Sequence, residues 1–146
     1  MQKIKTNGEA VAEIYRNAQL ALSSIEDILP SVEDGDIRRE ICGQQNEYEK
    51  ISRRAEGLAR EMGAEIKAPS PVKKAMMWST IKMNAAADNS RSNIAQMMIR
   101  GTVTGITSLK ATLSDGAGVM SGDVRRLMEE LISLEEGFER NLKNYL

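Results

Sequence analysis

Apolar residues recur along most of this chain at alternating steps of three and four, the spacing that gathers side chains onto one face of an α-helix. Val11, Tyr15, Ala18, Leu22, Ile25 and Leu29 make a first seam, and Ile14, Ala21 and Ile28 widen it into a stripe that can face a core. A helix is predicted from Asn7, a good N-cap with Glu9 in its first turn, to about Leu29, with residues 1 to 7 lacking periodicity and expected to fray. Pro30 and the run from Ser31 to Gly35 stop it. Ile37, Ile41, Gln44, Tyr48, Ile51, Ala55, Leu58 and Met62 form the most regular seam, predicting a second helix from Asp34 or Asp36 to about Met62, closed by Gly63 at C′. One amide, Gln44, interrupts that seam, and a buried amide must find partners.

Pro69 and Pro71 mark the start of a third segment, in which Trp78, Ile81 and Ala85 share a side between Val72 and about Ala87. A kink or short turn is expected at Asp88-Asn-Ser, before a stretch with the character of a spine. There Ala95, Ile99, Thr102, Ile106, Leu109 and Leu113 line one face, while Gly101 and Gly105 open a lane for another backbone. Two glycines inside a helix cost about 1 kcal/mol each against alanine, so packing or function should justify them. Ser114 to Met120 reads as a flexible connection. Ser121 or Asp123 then caps a last helix whose face holds Val124, Leu127, Leu131, Leu134, Phe138, Leu142 and Tyr145, with Arg125, Arg126, Glu129 and Glu130 on the solvated side. No strand pattern, long repeat or low-complexity tract occurs. The expectation is a single all-α domain over residues 1 to 146, an antiparallel four-helix bundle with a long, kinked third helix.

Composition narrows the chemistry. With 20 basic and 21 acidic residues the net charge is −1, which gives no electrostatic reason to expect nucleic acid or an anionic membrane as partner. No apolar run approaches the ~20 residues of a membrane span, and no signal-peptide core follows Lys3 and Lys5, so a cytoplasmic location is expected. Cys42 is the single cysteine and reads as a small apolar helix residue rather than a redox thiol. Histidine is absent, which removes the commonest general base, the usual zinc ligand and every Ser-His or Cys-His pair. Gly101 and Gly105 follow no strand and precede no Gly-Lys-Ser/Thr, so they form no phosphate loop. Tyr15 and Tyr48 are candidates for hydrogen bonds across the core, and the methionines at 76, 77, 83, 97 and 98 for core filling or a partner surface.

The helix order, the segment Met77-Trp78-Ser-Thr-Ile-Lys82, the small-residue run Ile99-Arg-Gly-Thr-Val-Thr-Gly105 and the closing Asp123-Val-Arg-Arg-Leu-Met-Glu-Glu-Leu131 resemble small bacterial proteins of the ferritin-like superfamily, over residues 8 to 146. The resemblance implies a left-handed four-helix bundle, in some relatives holding two iron or manganese ions on Glu residues and Glu-x-x-His pairs. Against that pattern the site is degenerate: Lys50 stands where a histidine would follow Glu47, Thr102 where a carboxylate is expected, and Glu139 where a histidine would follow Glu136.

The leading expectation is therefore a non-catalytic bundle acting through assembly or protein binding, with no cofactor. Any dimer contact would involve an exposed part of the third segment or its methionines. The alternative is a carboxylate-bridged iron or manganese protein with oxidase or metal-handling activity, its metal candidates being Glu47, Glu136 and Glu139 with Glu40 and Gln44.

Overall fold

Thr6, rather than Asn7, starts the first helix: its hydroxyl oxygen accepts from Glu9 N at 3.1 Å, and helix α1 runs Asn7–Ile28. Thr6 and Asn7 do not fray as expected, since Asn7 is itself engaged, its Oδ1 accepting from Ser121 N at 2.6 Å; residues 1–5 of that expectation lie outside the described residues. The computed structural model describes residues 6–66, 85 and 87–146. The stretch containing Pro69, Pro71, Trp78, Ile81 and the methionines at 76, 77 and 83 lies outside the described residues, so the expectations placed on it do too.

A 3-10 turn over Leu29–Ser31, with Pro30 inside it, ends α1. Its carbonyls are capped from outside, since Arg38 Nη1 donates to Leu29 O and Val32 O. Helix α2 spans Gly35–Glu61 behind the N-cap Asp34, whose side chain accepts from Asp36 N and Ile37 N at 3.0 Å each. Gly63 has φ +64, the left-handed conformation that glycine adopts at C′ without steric cost.

Asp88–Ser90 is non-helical, and its side chains start a new helix: Asp88 Oδ1 accepts from Ser90 N, and Ser90 Oγ from Asn93 N. Helix α3 then covers Arg91–Gly116, and the connection expected from Ser114 is shorter than the sequence suggested, with a 3-10 turn over Ala117–Val119. Gly116 is buried at the helix end, whereas Ser114, Asp115, Gly118 and Val119 around it are exposed. Ser121 caps helix α4, Gly122–Leu142, by accepting from Val124 N. A last 3-10 turn, Lys143–Tyr145, follows. Among the described residues the chain is all-α, four long helices with no strand, and none of these helices is long and apolar enough to cross a membrane.

The principal packing partners are α1 with α2 and α3 with α4, while α1 with α3 and α2 with α4 close the bundle less extensively. Its core takes Ile14 and Ile25 from α1, Ile37, Ile41 and Ile51 from α2, Ile94 and Leu109 from α3, and Leu127, Leu131 and Leu142 from α4. Each such side chain contributes roughly 1.5–3 kcal/mol by leaving water.

Two seams depart from the expected pattern. Met62 is 37 % exposed, and Ser52 and Ala59 take buried positions on α2 in its place. The expected spine is one-sided: Ile94, Ala95, Thr102, Ile106, Leu109 and Thr112 are buried, whereas Gly101, Val103, Thr104, Thr107 and Ser108 are exposed. Helix α3 thus buries one face and leaves the other to solvent.

Candidate functional site

Each of the four helices sends one position to a buried polar cluster. From α2 comes Tyr48, on the same face as Ile41, Gln44, Ile51 and Ala55 and thus carried into the core by the regular seam. Glu135 comes from α4, one turn beyond Leu131 and one turn before Phe138, and is only 2 % exposed. The Tyr48 hydroxyl donates to Glu135 Oε2 at 2.7 Å. Phe138 packs beside it, with ring centroids 5.4 Å from Tyr48 and planes tilted by 57°. Asn17 of α1 reaches across to α3, its Nδ2 lying 3.5 Å from Gly105 O.

Gly105 explains how these groups fit. A Cβ at that position would stand 2.9 Å from Glu135 Oε2, 3.1 Å from Oε1 and 3.0 Å from Asn17 Nδ2. The absent methyl is the space the carboxyl and amide occupy. By contrast, a Cβ at Gly101 would meet nothing within 4 Å, and Gly101 is exposed. The expected lane for an approaching backbone is thereby corrected: one glycine faces outward, and the other makes room for side chains.

Burial pushes the Glu135 carboxyl up to about 7, because the charged form loses its hydration; the Tyr48 hydroxyl and the Asn17 amide, which favour the carboxylate, offset only part of this. The same burial, with the negative charge of Glu135 alongside, pushes the Tyr48 phenol well above its ordinary value. Tyr48 therefore remains a donor across neutral pH while Glu135 titrates within it. Among the described residues, Glu135 Oε1, Asn17 Oδ1 and Gln44 Oε1 are buried without a hydrogen-bond partner. All three are acceptors.

The five metal candidates read from the sequence lie elsewhere. Glu40 and Gln44 are brought together, Gln44 Nε2 donating to Glu40 Oε2 at 3.1 Å, with Gln44 itself 1 % exposed. Glu47 pairs with Lys50 and Glu136 with Lys110, each at 3.2 Å on the surface, and Glu139 is half-buried on α4. The inward i, i+3 pair on α4 is Glu135 and Phe138, one residue before the Glu136 and Glu139 of the sequence reading. A signal for it existed: the steps Leu131, Glu135, Phe138, Leu142 are four, three and four, as good a helical face as the one drawn through half-buried Leu134.

Two cations need several inward carboxylates, usually completed by imidazoles. Here a single buried carboxyl faces a phenol, and a phenyl ring stands at the i+3 position. Among the described residues no group of three or more Cys, Asp or Glu is placed to hold a metal ion. The arrangement does not fit a di-metal centre, and none of the five candidates is identified as a ligand. What it can do chemically is hold and release one proton in an apolar setting. Compared with family models, curated proteins and solved structures, the chain gives no match.

Proposed function

We propose that the chain is a non-catalytic helical bundle, ferritin-like with a degenerate metal site, that acts by self-association or by binding another protein. The observation that carries this reading is the bundle centre, where, among the described residues, Tyr48, Asn17 and the Gly105 gap surround one carboxyl instead of several. An antiparallel arrangement is supported by the short turns after α1 and α3. Further support comes from Arg91, at the start of α3, which bridges Asp34 and Asp36 at the start of α2 and lies 5.6 Å from the Tyr145 ring beyond the end of α4.

The outer face of α3 supports a binding role. Thr104 and Thr107 spend their hydroxyls on Arg100 O and Val103 O, both at 2.9 Å, within the helix. Their methyl groups, with Val103 at 40 % exposure and Gly101, make this stretch of surface less polar than its sequence suggests. A free, half-buried Cys42 accords with a reducing, cytoplasmic setting.

Metal analysis of the full chain purified without chelators, combined with light scattering, tests the reading. Substoichiometric metal is expected. Two tightly held iron or manganese ions per chain would overturn it.

A further inference from the structure

The polar cluster has more acceptors than donors. Tyr48 supplies one O–H, taken by Glu135 Oε2, and the Asn17 amide, 3.5 Å from Gly105 O, also favours the carboxylate. Glu135 Oε1 and Asn17 Oδ1 remain buried without donors among the described residues, at the gap left by the missing Gly105 side chain. Buried acceptors left unpaired are costly, and one proton on the carboxyl turns an acceptor into a donor.

We propose that Glu135 is a proton-operated latch joining all four helices: with a proton it completes the hydrogen bonding around the Gly105 gap, and on losing that proton it loosens the bundle there. Its surroundings isolate it from other charge. Among the described residues α1 presents the neutral Asn17, α3 presents Gly105 and α2 presents Tyr48, the single titratable group in contact with the carboxyl. Charged side chains on the neighbouring turns pair with one another away from it: Arg16 with Glu13, Lys50 with Glu47, and Lys110 with Glu136. Among the described residues no cation therefore stands ready to neutralise the carboxylate. Burial places the transition where cells work, since Glu135 is pushed up to about 7.

The latch is tested by amide hydrogen exchange on the full chain at about pH 6 and about pH 8, corrected for the intrinsic pH dependence of exchange, in the parent, Glu135→Gln and Tyr48→Phe. In the parent, corrected exchange is expected to rise at least several-fold at the higher pH around Tyr48, Gly105 and Glu135, and less at the distant Ile37 and Val124. Glu135→Gln should abolish the rise, and Tyr48→Phe, lacking the donor that favours the carboxylate, should move it to higher pH. Equal corrected exchange at both pH values in the parent overturns the proposal even if Glu135→Gln does not fold. A rise that persists unchanged in a folded Glu135→Gln overturns it as well.

Discussion

Tyr48 and Glu135 share a 2.7 Å hydrogen bond that joins α2 to α4 inside the core, the phenol donating to a carboxyl that is 2 % exposed. A pairing of this kind leaves the second carboxyl oxygen to be satisfied by something else, and no described residue does so. The protonation state of one side chain thus bears on how four helices are held.

Stability should fall as pH rises toward neutrality. The folded Glu135 is pushed up to about 7 from an ordinary value of 4.5, so between those values the folded chain binds a proton that the unfolded chain has released. Its contribution is fully present below about 4.5 and is lost as pH climbs through about 7, in total roughly 3 kcal/mol at about 1.4 kcal/mol per pH unit. Urea unfolding of the parent and of Glu135→Gln across this range checks it: their stability difference should change in the variant's favour with rising pH.

Tyr48→Phe keeps the ring against Phe138 and removes the donor to Glu135. The expected loss is about 1–3 kcal/mol where the carboxyl is ionised, and less where it is protonated and needs no donor. Denaturant melts on both sides of neutrality would show the difference.

The two glycines of α3 should respond in opposite directions. Gly105→Ala places a methyl 2.9 Å from Glu135 Oε2 and should destabilise by about 1–3 kcal/mol. Gly101→Ala enters open space on an exposed helix face and should stabilise by about 0.5–1 kcal/mol. Thermal unfolding of the two variants tests the assignment.

Val103→Glu should leave folding stability within about 0.5 kcal/mol, because the site is on the surface. If the α3 face mediates self-association, the same change should lower the mass measured by light scattering at a fixed concentration. An oligomer of unchanged mass would place the contact elsewhere.

Much of the fold was legible in the sequence for a simple reason: a three-and-four step of isoleucine and leucine has one helical solution, and Ile37, Ile41 and Ile51 are buried as that step requires. The terminators worked for equally local reasons, Gly63 through its positive φ and Asp34 through its cap. What was hidden depended on tertiary context. Glu135 is hard to read from sequence because Leu134 offers an equally periodic face and a carboxylate beside it suits the solvated side. Nothing within α3 reveals that Gly105 makes room for a residue thirty positions away while Gly101 faces outward. Of the candidate site, Tyr48 could be read from the α2 seam, but its partner Glu135 on α4 could not.

The most direct measurement is a carbon-detected NMR titration of the Glu135 side-chain carboxyl in the intact, folded chain, assigned through its loss in Glu135→Gln. A midpoint at about 7 is the predicted result. A midpoint near the ordinary 4.5 would contradict the account, since it would mean that the carboxyl is hydrated or compensated by charge.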